Sequence, residues 1–156
     1  MSSAPHSFRD TMSRFATGVV VVTGLADGVP VGFTCQSFVP LSLEPALVSF
    51  AAGSAGKTWA TMRDLDELAI SVLAADQQAL GAQFAVSGAD KFAGVEVVPA
   101  PNGAPLLVGA LAHIAGRVVE RTVQGDHEVV VVEVGHLESF EGEPLLYFRS
   151  AFRTLA

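Results

Sequence analysis

Short runs of β-branched and aromatic residues, separated by turn residues, dominate the chain. Val19 to Leu25 is followed by the turn residues Ala26-Asp27-Gly28 and by a second run, Pro30 to Phe38, which predicts a hairpin. Two long Val-rich stretches are joined by a predicted turn at Val123 to His127. The predicted strands after the hairpin are Ala46 to Ala52, Glu67 to Leu73, Leu111 to Thr122, Glu128 to Phe140 and Leu145 to Arg149.

Helical spacing is confined to short segments. Phe8, Met12 and Phe15 predict an amphipathic helix that ends near Ala16. Two further helices are predicted at Lys57 to Arg63 and, after a cap at Asp76, at Gln77 to Phe84. The pattern predicts a mainly β fold with a few short helices, closed or nearly closed into a barrel because closure removes exposed strand edges. Pro99 to Pro105 is expected to be a loop between strands.

Composition narrows the class of protein. A chain of 156 residues that is 50% hydrophobic and 16% charged fits one globular domain, residues 1–156. Its net charge of -7 argues against a nucleic-acid partner, since phosphate binding needs clustered Lys and Arg. The longest aliphatic run, Val19 to Val22, cannot cross a membrane, and Met1 to Phe8 lacks a secretion signal, so we expect a cytoplasmic protein. The single Cys35 fits a reducing compartment.

The first candidate site is the segment Gly32 to Phe38, where polar residues interrupt an otherwise apolar strand. Thr34, Gln36 and Ser37 offer hydroxyl and amide groups, and the extended backbone offers N–H donors, that could bind the edge of a planar heterocycle. The same residues also fit a strand with a polar outer face.

The second candidate is the small-residue loop Gly53 to Thr58, which leads into a helix. A helix start attracts anions, and Ser54, Lys57 and Thr58 add hydroxyls and a positive charge. The loop imitates a nucleotide-binding P-loop, but the first glycine of that motif should stand at position 51, where the chain has Ala51. An ATPase is therefore disfavoured, whereas an ordinary Ser-capped helix remains an alternative.

Two further loops carry charged groups. Lys91 and Lys57 are the only lysines, and both lie in glycine-bearing loops where they could reach a bound anion. Alternatively, Lys91 is a solvated loop residue and Phe92 a core anchor. His127, at a turn beside Asp126, could donate a hydrogen bond to a nicotinamide while Asp126 fixes its tautomer, or could be an ordinary surface histidine.

Other catalytic classes find little support. The remaining histidines, His6, His113 and His136, show no metal-ligand spacing with one another or with Cys35, so no metal is predicted. No Gly-x-Ser-x-Gly motif of a serine hydrolase is present.

The candidate segments, taken in order along nearly the whole chain, resemble the short-chain flavin reductase family. The segments that carry the resemblance are Phe15-Ala16-Thr17-Gly18-Val19, Gly32-Phe33-Thr34, Ser37-Phe38, Leu41-Ser42-Leu43-Glu44-Pro45, Asp90-Lys91-Phe92-Ala93-Gly94, Gly125-Asp126-His127 and Pro144-Leu145-Leu146-Tyr147. The resemblance implies a Greek-key FMN-binding split β-barrel, and NAD(P)H-dependent reduction of FMN or FAD. It further implies a homodimer and a partner monooxygenase that receives diffusible reduced flavin.

The resemblance also implies roles for individual residues. Residues implied to bind the flavin are Phe33, Thr34, Cys35, Gln36 and Ser37 at the ring and ribityl chain, Ser54, Lys57, Thr58 and Lys91 near the phosphate, and Phe92 beside the ring. His127, as the catalytic residue, and Tyr147, Arg149 and Arg153 are implied to face NADH or NADPH. Hydride passes between the two cofactors, and main-chain N–H groups near Thr34 are expected to stabilise the charge that develops on the flavin.

The chain departs from the family pattern at two places. Thr34-Cys35-Gln36-Ser37 stands where Thr-Ala-Asn-Ser is common, so the amide is one methylene longer, and Phe148, Ser150 and Phe152 stand where His, Gly and Tyr are frequent. The altered C-terminal stretch leaves a flavin-binding protein without reductase activity as the main alternative. A split-barrel oxidase acting on another small heterocycle is a further alternative.

Overall fold

The computed structural model describes residues 5–88 and 90–156, with side chains from Ser7 onward. In chain order the elements are α1 (Pro5–Met12), β1 (Thr17–Gly18), β2 (Val20–Ala26), β3 (Val29–Cys35), β4 (Val39–Leu43), β5 (Ala46–Gly53), α2 (Lys57–Met62), β6 (Glu67–Val72), a 3₁₀ turn (Ala75–Gln77), α3 (Gln78–Ala85), β7 (Val97–Pro99), β8 (Pro105–Leu107), β9 (Ala112–Gln124), β10 (His127–Ser139), β11 (Leu146–Phe148) and β12 (Ala151–Arg153). The predicted mainly β class with a few short helices is confirmed.

Seven antiparallel strands form the main sheet, in the order β3-β2-β6-β9-β10-β5-β4. The predicted hairpin of β2 and β3 forms around Asp27 and Gly28, both of which have positive φ angles. The two long strands, β9 and β10, pair from Gln124 opposite His127 to Ala112 opposite Ser139, with two register shifts. Two smaller sheets have the orders β1-β11-β12 and β7-β8.

The main sheet does not close by hydrogen bonding within the described residues, so of the two forms expected from the sequence, closed or nearly closed, the closed barrel is not formed. Strands β3 and β4 remain its two edges. The β3 edge is covered by α2 and α3, which pack against it, and aromatic contacts fill the gap between β3 and β5. Helices therefore protect this edge, as a neighbouring strand would do in a closed barrel.

Three apolar clusters lie in the interior of the described part of the chain, and two of them contain the larger side chains. In the first, the rings of Phe33, Phe50 and Trp59 meet edge to face, with centroids 5.8 to 6.1 Å apart. The second joins β2 to α3 and the C-terminal sheet; its buried members are Val19, Val21, Leu73, Phe84, Leu107 and Leu145. The first cluster contains residues of β3 and the second contains residues of α3, and both elements contribute residues to the candidate site.

Several local predictions are corrected. Asp76 does not cap the third helix but lies inside the 3₁₀ turn, and the Gln77 side-chain oxygen accepts a hydrogen bond from the Ala74 N–H at 2.9 Å. The expected loop between strands at Pro99 to Pro105 is confirmed, since it connects the paired strands β7 and β8. Strands β1, β4, β7, β8 and β12 were not predicted, because most span only two or three residues and β4 has an exposed apolar surface.

Two observations concern membranes and the N-terminus. No helix within the described ranges is long and apolar enough to cross a membrane. The expectation that Met1 to Phe8 carries no secretion signal falls partly on residues 1–4, outside the described ranges.

Candidate functional site

A cavity of about 220 Å³ lies where the ends of β3 and β5 approach α2 and α3. It brings together five residues selected from the sequence: Phe33, Thr34, Lys57, Thr58 and Lys91. A neighbouring cleft of about 360 Å³ shares Lys57, Thr58 and Lys91 with it and adds Phe92. The structure thus groups residues from three separate sequence segments around one concave, partly cationic site.

Lys91 is buried rather than solvated, which corrects the alternative weighed from the sequence. Its ammonium group donates to the Gly32 carbonyl at 3.2 Å, the Thr58 hydroxyl at 2.9 Å and the Phe84 carbonyl at 3.1 Å. Phe84 lies in the last turn of α3, where helix carbonyls lack intrahelical partners. Burial lowers the pKa of Lys91 from its ordinary value. All three of its donors are occupied, so it can act on a ligand through Thr58 and through its charge.

The Thr58 hydroxyl therefore has a defined role as an acceptor. Because Lys91 donates to its oxygen, the hydroxyl proton is left to point elsewhere. Lys57, next to it, is exposed and has a freely oriented side chain at the mouth of both cavities. Together the two residues present a hydroxyl donor and an ammonium group to a ligand.

The polar groups at the end of β3 are more committed to the protein than the sequence suggests. The Thr34 hydroxyl donates to the Gly81 carbonyl at 2.7 Å. The Ser37 hydroxyl accepts from the Ala51 N–H at 2.8 Å and donates to the Ala51 carbonyl at 3.0 Å. These hydroxyls hydrogen-bond the end of β3 to α3 and β5. A ligand here would therefore contact the backbone and the ring of Phe33 more than the two hydroxyl groups.

Cys35 and Gln36 lie on opposite sides of this strand end. Cys35 is buried with its sulfur 3.1 Å from the Ser37 hydroxyl, and burial raises the pKa of its thiol. This thiol is packed into the core and does not line the cavity. Gln36 is exposed, and its side chain makes no hydrogen bond within the described residues.

The turn between β5 and α2 is held by backbone bonds. The Ser54 N–H donates to the Asp126 carbonyl at 2.9 Å, and the Gly56 N–H donates to the Gly53 carbonyl at 3.1 Å. Gly56, without a side-chain cap, precedes α2, so the alternative of a Ser-capped helix is wrong. Because α2 has only six residues, any anion binding here depends on the side chains of Ser54, Lys57 and Thr58 more than on a helix dipole.

His127 lies beside this turn, paired in register with Gly53 at the start of β10. Its Nδ1 is 2.8 Å from an Asp126 carboxylate oxygen, and both side chains are exposed. The hydrogen bond with His127 lowers the pKa of Asp126, with smaller contributions from the charges of His127 and Arg9. This pairing occupies Nδ1 of His127 and leaves Nε2 directed away from Asp126. The contact with Asp126 therefore determines which ring nitrogen is available to a ligand.

The C-terminal candidates lie outside the main cavity. The rings of Tyr147 and Phe152 pack edge to face, 5.2 Å apart, on the second apolar cluster. Arg149 lies in a separate cleft with Arg9 and Arg14, and Arg153 is exposed. The structure of one chain therefore does not bring Tyr147, Arg149 and Arg153 together with Phe33 and Lys57.

Sequence reasoning missed three residues at this site. Trp59, the only tryptophan, lines the cavity and donates from its indole nitrogen to Glu128 at 3.0 Å. Arg63 donates to the same Glu128 oxygen at 3.0 Å and to the Ser54 carbonyl at 2.9 Å. The single tryptophan was a visible signal, but the pairing of Arg63 with Glu128 depends on the register of β10 and leaves no local motif.

Comparisons with known proteins identify the family of the chain. The model of the flavin reductase like domain matches residues 12–156. The reductase subunit HsaB of a flavin-dependent monooxygenase from Rhodococcus jostii is 41% identical over 149 residues, covering 95% of this chain and 76% of the relative. An NADH-dependent flavin reductase from a Rhodococcus species is 36% identical, covering 97% of this chain and 86% of the relative.

A solved structure gives the same result. The NADH:FAD oxidoreductase SgcE6 from Streptomyces globisporus, in complex with NAD and FAD fragments, superposes with a TM-score of 0.92 at 32% identity, covering 100% of this chain and 97% of that one. The chain belongs to the flavin reductase family. The family and the enzyme class, an NAD(P)H:flavin oxidoreductase, are thereby confirmed as expected from the sequence.

Proposed function

We propose that this protein uses NADH or NADPH to reduce FMN or FAD and releases the reduced flavin to a partner monooxygenase. The observation that carries the proposal is the cavity in which aromatic Phe33 adjoins the cationic group of Lys57, Thr58 and Lys91. An apolar wall for a ring and a cationic end for a phosphate match the two parts of a flavin nucleotide. Family membership independently supports the same chemistry.

The donor set fits a phosphate-bearing ligand. Lys91 carries a charge into the interior with only neutral oxygen partners, so an anion beside Thr58 would supply the missing counter-charge. Ser54 and Thr58 provide hydroxyl donors, and Lys57 provides a mobile ammonium group. We assign the flavin phosphate to these four residues, with Lys91 acting through Thr58.

The ring is assigned to the opposite side of the cavity. Phe33 and Phe92 supply aromatic surface. The backbone from Thr34 to Ser37 is assigned to supply amide groups; Thr34 lines the cavity, whereas the exposed Gln36 is not among its lining residues. When bound, flavin and reduced nicotinamide supply the redox chemistry themselves by hydride transfer between their rings. The protein binds and orients them, and main-chain N–H groups near Thr34 stabilise negative charge at the ring edge.

We assign the nicotinamide nucleotide to the side of His127. Nδ1 of His127 donates to the Asp126 carboxylate, so Nε2 of the neutral ring accepts a hydrogen bond from the amide group of the nicotinamide and donates one when the ring is protonated. We assign His127 as the catalytic residue on this basis. Tyr147, Arg153 and, less directly, Arg149 contribute to the same nucleotide. Their distance from the main cavity within one chain is compatible with a site that a second subunit completes.

The exposed edge of the main sheet also supports a homodimer. Edge strand β4 exposes Leu41 and Leu43, the latter 97% accessible, as expected of a strand that another subunit covers. We therefore propose a homodimer of single-domain subunits with a split-barrel fold, acting in the cytoplasm on a diffusible flavin.

A cofactor screen tests the proposal. Purified protein is mixed with NADH or NADPH and with FMN, FAD or riboflavin, and nicotinamide oxidation is followed in the steady state. Rapid oxidation that depends on both the protein and the flavin is the expected result. Bound yellow flavin without turnover would favour the alternative, a flavin-binding protein without reductase activity. That alternative is suggested by Phe148, Ser150 and Phe152, which differ from the residues frequent in the family.

A further inference from the structure

A cluster of three side chains lies behind the proposed phosphate site. One Glu128 oxygen accepts hydrogen bonds from Trp59 Nε1 and from Arg63 Nη2, both at 3.0 Å. The same Arg63 nitrogen donates to the Ser54 carbonyl at 2.9 Å. Only 13% of the Glu128 side chain is accessible, so its charge depends on these two donors.

The cluster joins α2 and the turn after β5, which both border the cavity, to strand β10. Trp59 belongs to α2 and Arg63 ends it, Ser54 lies in the turn after β5, and Glu128 follows His127 in β10. Both backbone polar groups of Ser54 are hydrogen-bonded. Its N–H donates to the Asp126 carbonyl in the turn before His127, and its carbonyl accepts from Arg63. Removing Arg63 would release one of these two constraints.

The sheet does not need this ion pair for its register. Glu128 already pairs with Ala52 on one side and Val123 on the other through the backbone ladder. Arg63 Nε is buried and finds no hydrogen-bond partner among the described residues, which is a cost in stability. A partly buried charge pair often adds less stability than apolar packing, so its presence beside a ligand site points to a positioning role.

We propose that Arg63 and Glu128 are positioning residues that hold the Ser54 turn in place for the phosphate of the flavin nucleotide. This inference rests on the proposed function. Arg63 acts through Ser54 and Glu128 acts through Arg63, and neither is assigned a contact with the flavin. Their loss should therefore weaken binding of flavins that carry a phosphate and leave riboflavin, which lacks one, almost unaffected.

The fluorescence of Trp59 reports flavin binding, because Trp59 is the only tryptophan and lines the cavity. Quenching of its fluorescence is titrated with FMN and with riboflavin for the whole protein and its variants. Arg63→Gln should raise the Kd for FMN about tenfold, as expected for one lost charge-assisted hydrogen bond, and the Kd for riboflavin less than about twofold. Arg63→Lys should restore most of the FMN affinity. Steady-state kinetics should show a raised KM for FMN with unchanged kcat.

Arg117→Gln is the matched control, because Arg117 forms an exposed ion pair with Glu133 at 2.7 Å elsewhere on the sheet. It should bind both flavins as the unmodified protein does. Equal losses for FMN and riboflavin in Arg63→Gln, or no loss for either, would overturn the inference. If Arg63→Gln does not fold, Glu128→Gln decides by the same comparison, since its amide still accepts from Trp59. Failure of the unmodified protein to oxidise either NADH or NADPH with either FMN or FAD would instead reject the proposed function.

Discussion

Replacing Lys91 by methionine removes a buried ammonium group while keeping a side chain of similar length. Two of its three acceptors, the carbonyls of Gly32 and Phe84, are buried and would lose their donor. Each such loss costs about 1 to 1.5 kcal/mol, and relief of the buried charge returns about 1 kcal/mol. The net expected loss in the free energy of unfolding is about 1 to 2 kcal/mol, or a Tm lower by about 2 to 8 °C.

Urea unfolding followed by Trp59 fluorescence measures this loss, and Lys57→Met is its control. Lys57 is exposed, so its variant should keep its stability within about 0.5 kcal/mol. Both variants should bind FMN more weakly, Lys57→Met by losing a mobile charge and Lys91→Met by losing the donor to Thr58. An unchanged urea midpoint for Lys91→Met would refute the assignment of Lys91 as a buried link between β3, α2 and α3.

The pH dependence of the same experiment has a defined sign. Burial lowers the pKa of Lys91 below the ordinary 10.5, so the unfolded chain binds a proton more tightly than the folded protein. The free energy of unfolding therefore rises as pH increases from the lowered pKa of Lys91 toward 10.5, because the cost of burying the protonated amine disappears over this range. Above 10.5 the gain is complete. Cys35, whose pKa is raised, contributes the opposite trend, since its stability is lost as pH rises above 9.0. The stability difference between the unmodified protein and Lys91→Met cancels the Cys35 effect and should widen with pH.

Three further predictions concern the proposed phosphate site, His127 and the packing at Gly116. Ser54→Ala combined with Thr58→Ala should raise the Kd for FMN by about tenfold or more and spare riboflavin; unchanged FMN affinity contradicts the phosphate assignment. His127→Asn should lower kcat/KM for NADH about tenfold with little change in FMN affinity, and a larger effect on FMN than on NADH contradicts its role. Gly116→Ala should destabilise the protein by about 2 to 3 kcal/mol, because a Cβ there meets the Glu133 carbonyl, whereas Gly135→Ala, with its nearest neighbour 3.9 Å away, should be tolerated in thermal unfolding.

The elements with long periodic patterns were predictable from the sequence, and the long-range polar contacts were not. β2, β3, β5, β6, β9 and β10 follow β-branched runs, whereas β7 and β8 form around two prolines and have three residues each. Such short strands form because tertiary pairing outweighs local preference. The buried position of Lys91 could not be predicted, since its acceptors come from three separate segments.

In the candidate site, too, residues in local motifs were predictable and long-range contacts were not. Phe33, Thr34, Lys57, Thr58 and Lys91 were selected from local motifs, and the fold brings them to one cavity. The hydroxyls of Thr34 and Ser37 were expected to be available, but their partners, Gly81 and Ala51, are known only from the packing of β3 against α3 and β5. The contact between Trp59 and Glu128 joins residues 69 positions apart and has no sequence motif.

The central claim is that this cavity binds a flavin and accelerates its reduction by a nicotinamide nucleotide. Its most direct test is an anaerobic stopped-flow experiment, in which protein with FMN is mixed with excess NADH and the yellow absorbance of the flavin is followed. Bleaching that is much faster than in the same mixture without protein, and slower with Ser54→Ala and Thr58→Ala combined at subsaturating FMN, is the predicted result. Bleaching at the rate of the protein-free mixture, with FMN and with FAD and with either NADH or NADPH as the donor, would contradict the account.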